Sequence, residues 1–427
     1  MKGEVLFFLK RKEQTMANSR KDSKGRVLRT GEAVRSNGLY QYSYTDPYGK
    51  RRYIYAKTLV KLRQKEDELT RDRLDGIHGY IARELSLNDL FDKYMNTRKD
   101  LSKTTYAGYM YQYNTHVRSS FGKRNITTIK YSDVLQFYKS LMEKKELSYG
   151  TIEHLQRELH PAFEMAVRDC LIRTNPTSQI LGQLKQQTKV KRKIRKALTP
   201  EQQKAFLQFM DGHPIYDHWK PLFTFMIGTG VRVGELSGLR WEDVDLKNGY
   251  ITIDHAMVYF AGKMNPTEQR TFISKPKTEA GIRKIPIVPE VRKALDEVKQ
   301  YQYENGIFCR TEIDGYTNFI FLNRFGNVYL QQALDRTLAR IIDAYNDMEL
   351  HDAAMRKRNA VLLPHFTCHV LRHTFCARLC EHETNLKIIQ SIMGHIDIGT
   401  TMNIYAEVSE ERKKESMDSL ADKLMLF

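Results

Sequence analysis

The stretch Pro364–His382, "PHFTCHVLRHTFCARLCEH", concentrates four histidines and three cysteines. Read as a helix over residues 366–381, it sets His369, His373, Cys376 and Cys380 within one broad face. Four such residues suggest a zinc site, and helix geometry rules against it. At about 1.5 Å of rise per residue, His369 and Cys380 stand roughly 16 Å apart along the axis. Tetrahedral zinc needs its donors within about 2.3 Å of the ion. A helical His pair of the H-E-x-x-H kind needs a glutamate between the two, and Val370, Leu371 and Arg372 stand there instead. No metal is expected. Leu371, Phe375 and Leu379 form an apolar stripe that docks the helix. His369 and Arg372, three apart, are then neighbours near the domain surface.

Downstream, "SIMGHIDIGTTMNIYAEV" predicts a helix stopped by Gly394, then His395, a short polar loop, and Tyr405 on the next helix. Upstream, "FMIGTGVRVGELSGLRWEDVDL" places Arg232 past a Gly-Thr-Gly turn at a helix start. Glu235, three residues on, can hold Arg232 by a charge-assisted hydrogen bond. Between these, "YITIDHAMVYF" and "ISKPKTEAGIRKIPIV" read as strands of an antiparallel sheet, with Lys277 in the turn of the second.

Two arginines, a lysine, two histidines and a tyrosine, with no acidic cluster for Mg²⁺, point to phosphoryl transfer without a cofactor. That chemistry needs charge neutralisation on the non-bridging oxygens. Arginine supplies it with a planar fork. Tyrosine can be the nucleophile. A lysine can protonate the leaving oxygen, and a histidine can take the tyrosine's proton.

The bulk properties agree. Lys and Arg number 69 against 51 Asp and Glu, a formal charge of +18 that favours a polyanionic partner such as nucleic acid. No run of about 20 apolar residues is present, so no membrane span is expected. "VLFFL" (5–9) is too short for a secretory signal, and either Met1 or Met16 could be the start. Five cysteines are few and odd in number, which fits a reducing cytoplasm.

Six segments follow from local pattern. Residues 1–30 are a flexible basic arm. Residues 31–82 hold alternating tyrosines (Tyr40, Tyr42, Tyr44, then Tyr53, Tyr55) around the "DPYGK" turn, followed by a helix with Leu59, Leu62 and Leu69 on one side. A small three-stranded sheet backed by one helix is expected, with the tyrosine stripe covering the helix. The polar face, with Arg52, is then the DNA contact. Residues 83–184 read as amphipathic helices, the first capped by Ser86. Residues 185–196 read as an interdomain linker lying on a phosphate backbone, through Lys185, Lys189, Lys191, Arg192, Lys193, Arg195 and Lys196. Residues 197–408 mix helices and strands, opening at Thr199 as N-cap with Pro200 and Gln202 behind it. Residues 409–427 carry Met417, Leu420, Leu424 and Phe427 at helical spacing.

In order, "TGVRVGEL", "KTEAGIRKIPI", "HVLRHTF" and "MGHIDIGTTMNIY" resemble the Arg, Lys, His-x-x-Arg, His and Tyr motifs of the tyrosine recombinases. The resemblance covers about 197–410. The helical block resembles that family's core-site-binding domain, and the hairpin with its helix resembles the arm-binding domain of conjugative-transposon integrases. It implies a multidomain fold: a small sheet-plus-helix arm-binding domain, an all-α core-binding domain and a mixed, mainly α catalytic domain. It also implies roles. Tyr405 attacks the scissile phosphate to form a 3′-phosphotyrosine; Arg232 and Arg372 clamp the phosphate; Glu235 supports Arg232. Lys277 is the general acid, His369 assists proton transfer and His395 contacts the phosphate. Cys368, Cys376 and Cys380 are packing residues.

The function implied is excision and integration of a mobile element through a four-way junction, by a homotetramer on two double-stranded DNA duplexes carrying core and arm sites. The terminal helix is expected to dock on a neighbouring subunit. An excisionase and DNA-bending host proteins are further expected partners, and a bacterial cytoplasm, at the nucleoid, the expected location. A type IB topoisomerase and a non-catalytic DNA-binding regulator are the alternatives.

Overall fold

The computed structural model describes residues 20–46, 49–76, 82, 84–188, 196–259, 271–276, 281–394, 397–399 and 401–402. Two compact units divide the chain, residues 1–191 and 192–427.

The first unit opens with a three-stranded antiparallel sheet, β1 (Glu32–Val34), β2 (Tyr40–Thr45) and β3 (Arg51–Ala56), in the order β1-β2-β3. Helix α1 (Leu59–Leu74) follows, capped by Thr58. Its Leu59, Leu62 and Leu69 pack with Tyr40, Ile54 and Ala56 in a small core.

Register corrects the expected face of Arg52. Tyr40 pairs with Ala56, Tyr42 with Ile54 and Tyr44 with Arg52. Even-numbered residues of both strands therefore share the helix-facing side. Arg52 belongs to that side and is bonded to Asp46 and Glu84, so it is not on the open face. Tyr53 and Tyr55 are the exposed ones. The five tyrosines split between two faces because each strand alternates by residue and the turn sets how the strands match.

Among the described residues the unit continues with α-helices α2 (Leu87–Thr97), α3 (Lys103–His116), α4 (Tyr131–Lys144), α5 (Tyr149–Arg168) and α6 (Ile180–Thr188). Ser86 caps α2 as expected: its Oγ accepts from Asp89 N at 3.2 Å, and Asp89 returns the bond to Ser86 N at 2.8 Å. The core is aliphatic with stacked Phe91 and Tyr113, 3.6 Å between ring centres. Helix α6 runs through Thr188, so Lys185, at the start of the basic 185–196 segment, is helical. Ile180 and Leu184 bury one side of it, and Lys and Gln, good helix formers, continue it.

The second unit begins with α7 (Pro200–Met210), with the Thr199–Gln202 capping box in place at 3.2 and 3.1 Å. Then come α8 (Lys220–Thr229) and α9 (Val233–Gly238). Strands β4 (Val244–Asp245), β5 (Tyr250–Ile253), β6 (Ala256–Tyr259), β7 (Thr271–Ser274) and β8 (Arg283–Pro286) follow. They form two antiparallel sheets, β4-β5-β8 and β6-β7. Helices α10 (Pro289–Glu304), α11 (Gln331–Met355), α12 (Cys368–His382) and α13 (Leu386–Met393) complete the described part. A core of Phe206, Phe223, Phe225, Leu338, Ile341 and Leu371 joins α7, α8, α11 and α12.

Candidate active site

Helix α12 docks by more than its expected apolar stripe. Cys368, Leu371, Arg372, Thr374, Cys376, Ala377 and Cys380 are all buried. Cys376 and Cys380 pack with Ile389 and Met393, as small apolar groups do. Burial and the neighbouring Asp335 push the Cys368 thiol well above its ordinary range, which keeps it protonated. Arg372 is inside, not at the surface beside His369. His369, on the first turn, is exposed.

What a buried guanidinium needs is acceptors, and the loops around α12 supply them. Helix α8 ends at Gly230 in the left-handed region (φ 63°). A Cβ there would lie 2.2 Å from Phe375 Cδ1, so only glycine lets this turn reach α12. The Gly230 carbonyl accepts from Arg372 Nη1 at 2.5 Å. Arg372 Nη2 donates to the Met393 carbonyl at 2.5 Å.

Two residues beyond Gly230, Arg232 is the N-cap of α9 in an extended conformation. Its backbone N–H donates to Glu235 Oε2 at 2.8 Å and its Nη1 to Oε1 at 2.7 Å. Its Nη2 donates to the Gly394 carbonyl at 2.8 Å. The helix carrying this pair is pressed onto β6. A Cβ on Gly234 would meet Met257 O at 2.7 Å, and one on Gly238 would meet Met257 N at 2.8 Å. His255 adds a clasp, with Nε2 2.7 Å from Gly238 O and Nδ1 2.6 Å from Asp254 Oδ1.

A third arginine, unforeseen from sequence, completes the arrangement. Arg283 on β8 is buried and donates from Nη1 and Nη2 to the two oxygens of Glu235, at 3.0 and 2.7 Å. Its Nε donates to the Ile392 carbonyl at 2.8 Å. A faint signal was present: Arg283 stands in phase with Ile285, at an inward position of an alternating strand where a charge is unusual.

Electrostatics follow from this packing. Burial alone would raise the Glu235 carboxyl, but hydrogen bonds from Arg283 and the charges of Arg283 and Arg232 outweigh it and hold the group at about 2. Burial, then repulsion from Arg232, pushes Arg372 down to about 9, so it is still a cation at neutral pH. Three guanidiniums around one carboxylate leave an excess of positive charge, Arg232 being the partly exposed member at 42% of its side chain. Such a place binds an oxyanion.

Arg232, Glu235 and Arg372 are thus brought together. Lys277, His395 and Tyr405 lie outside the described residues, as do Lys189, Lys191, Arg192, Lys193 and Arg195. Lys185 and Lys196 are exposed. Among the described residues one trio, Asp243, Asp254 and His255, has metal-ligand spacing. Asp243 already receives both Nε and Nη2 of Arg240, and both ring nitrogens of His255 are engaged. Among the described residues no helix is long and apolar enough to cross a membrane.

A sheet-plus-helix module, a helical module and a mixed unit built round paired arginines suit a protein that binds a nucleic-acid phosphate. Residues 196–412 match the model of the phage integrase family, residues 16–73 that of the DNA-binding domain of Tn916 integrase, and residues 86–142 that of the phage integrase N-terminal SAM-like domain. The chain belongs to the phage integrase family, as a site-specific tyrosine recombinase of the kind that excises and integrates a conjugative transposon. It is 31% identical to the transposase from transposon Tn1545 of Streptococcus agalactiae over 418 residues, 95% of this chain and 97% of that one. The transposase from Tn916 of Enterococcus faecalis matches to the same extent, again 31% over 95% and 97%. Among solved structures, the Tn1549 transposon integrase in complex with transposon right-end DNA is 30% identical, with a TM-score of 0.68 over 79% of this chain and 100% of that one. The lambda integrase tetramer bound to a Holliday junction shares the fold at 17% identity, with a TM-score of 0.52 over 89% and 95%. The topoisomerase and regulator readings are set aside.

Proposed function

We infer that Arg232 and Arg372 hold the non-bridging oxygens of a scissile DNA phosphate while Tyr405 attacks it, forming a 3′-phosphotyrosine and releasing a 5′-hydroxyl. Arg372 is desolvated and Arg232 is braced by Glu235, so neither needs to reorganise as charge builds on the phosphoryl oxygens. Lys277 protonates the leaving oxygen, His369 takes the phenolic proton and His395 contacts the phosphate. The 5′-hydroxyl of a second duplex then attacks the phosphotyrosine and restores the phosphodiester, so no ATP is consumed. Two such exchanges pass through a four-way junction held by four subunits.

The domain bounds of this reading are 1–30, 31–82, 83–184, 185–196, 197–408 and 409–427, with the last segment docking on a neighbouring protomer. The 185–196 segment lies along the DNA backbone, and core and arm sites are bound by the two N-terminal modules. An excisionase and DNA-bending host proteins set direction, in a bacterial cytoplasm.

The observation that carries this is the fixed spacing of the two guanidiniums, each bonded to backbone at the end of α8 or of α13. The test is a nicked suicide duplex from an element end. Wild type should yield a covalent adduct in the presence of EDTA, and Tyr405→Phe none while still binding the duplex. An adduct retained by Tyr405→Phe would refute the assignment.

A further inference from the structure

Three successive carbonyls end helix α13, and each accepts from a different arginine. Ile392 O takes Arg283 Nε at 2.8 Å, Met393 O takes Arg372 Nη2 at 2.5 Å, and Gly394 O takes Arg232 Nη2 at 2.8 Å. The last carbonyls of a helix have no partner within it and carry its negative dipole end, so three cations there are well matched. The residue that follows is His395.

Arg283 is buried to the same degree as Arg372, at 6% and 4% exposed, whereas Arg232 leaves 42% of its side chain in contact with solvent. Arg283 differs from Arg372 in giving its Nη donors to a carboxylate rather than to backbone carbonyls alone. Four of its five N–H groups go to Glu235, to the end of α13, and weakly to Gly281 O at 3.4 Å. Glu235 in turn fixes the backbone and the guanidinium of Arg232. So one side chain on β8 spans both halves of the phosphate site: the α9 start, which carries one arginine, and the α13 end, which delivers the chain to 395.

We propose that Arg283 is a positioning residue for strand cleavage, locking Glu235 and the end of α13 into one unit so that Arg232 and the Gly394 backbone keep a fixed relation. This rests on the phosphate-clamp reading above. A lysine at 283 could keep a charge but not the fork to Glu235 together with the Nε bond to Ile392. The charged groups facing Glu235 are Arg232 from its own helix, Arg283 from β8 and Arg372 from α12. With Arg283 gone, burial is less opposed and the Glu235 carboxyl rises from about 2. Protonated Glu235 no longer accepts both bonds from Arg232, so cleavage should lose rate in mild acid.

The test uses the full chain with Arg283→Lys, Arg283→Met, Glu235→Gln and the Arg283→Lys/Glu235→Gln double variant. Single-turnover adduct formation on a pre-bound suicide duplex is measured over roughly pH 5.5 to 8.5, with duplex affinity measured separately. Arg283→Lys should bind within about threefold of wild type but cleave at least about tenfold more slowly. Its acidic limb should also lie at higher pH than wild type's, a displacement that the double variant does not show. The Glu235 carboxyl is followed in the DNA-free protein by carbon-13 NMR, as the signal missing from Glu235→Gln. It should titrate higher in Arg283→Lys than in wild type, a readout independent of any chemistry on DNA. An unmoved Glu235 titration, a cleavage rate close to wild type, or a rate loss equal to the affinity loss with an unchanged pH profile would each overturn the proposal. A shifted titration with no adduct from wild type would instead sink the phosphate-clamp reading alone.

Discussion

Gly230 lies against the ring of Phe375: a single added carbon on the glycine would stand 2.2 Å from Cδ1. This contact joins the loop that leads to Arg232 with the helix that carries Arg372. Gly230 also offers its carbonyl to Arg372. The spacing of Arg232 and Arg372 therefore depends on a missing side chain.

Gly230→Ala should cost about 2–4 kcal/mol, from left-handed strain plus overpacking. Chemical denaturation measures it. Adduct formation by the remaining folded fraction should fall as well, because the Gly230 carbonyl moves with the loop. A variant as stable and as active as wild type would show that Phe375 gives way freely.

Arg372→Lys should bind a core-site duplex nearly as wild type does and form adduct about 10²–10³-fold more slowly. The ammonium is a point charge and cannot bond Gly230 O, Met393 O and a phosphate in the fork geometry. Quench-flow adduct assays beside equilibrium binding separate the two effects. Equal losses in both would assign Arg372 to affinity alone.

On the sheet of the first unit, Tyr53→Ala and Tyr55→Ala should leave melting nearly unchanged and weaken binding of arm-type DNA. Ile54→Ala should cost about 2–4 kcal/mol, as a core deletion does. Arg52→Ala should behave as a loss of the Asp46 and Glu84 ion pairs, with little effect on arm-site affinity. Fluorescence anisotropy with arm-site duplexes decides it. Loss of affinity only in Arg52→Ala would restore the polar-face reading.

Replacing Lys189, Lys191, Arg192, Lys193 and Arg195 by glutamine should weaken binding to every duplex and flatten its dependence on salt, since phosphate contacts release counterions without reading sequence. Titrations at several salt concentrations, on cognate and unrelated duplexes, measure the slope. An effect on one sequence alone would mean that the segment reads bases.

Glu158, buried on α5 with one oxygen unpartnered among the described residues, is pushed up to about 9 by burial. Its folded value lies above the unfolded one, so its favourable contribution is complete below the ordinary carboxylate range and is lost as pH rises through about 9. Between about pH 5 and pH 7 this removes up to about 3 kcal/mol from the N-terminal unit. Melting curves of wild type and Glu158→Gln across that range should diverge, the variant having the shallower slope. Parallel slopes would show that Glu158 is solvated.

The sequence by itself determined the motif order, the helix caps at Ser86 and Thr199, the three-stranded sheet with its helix, and the Arg232–Glu235 pair. These are local: spacing of three or four residues and the chemistry of a cap decide them without reference to distant chain. The pitch of one helix also argued from sequence against four zinc ligands within Pro364–His382. Tertiary structure alone decided the face of Arg52, the inward position of Arg372 and the part played by Arg283. Each depends on which strand or helix end lies opposite, and that is set by register and packing between segments as far apart as Arg232 and Gly394. A buried cation is legible only when its acceptors are known, and here they are backbone carbonyls, which every residue possesses and no motif records.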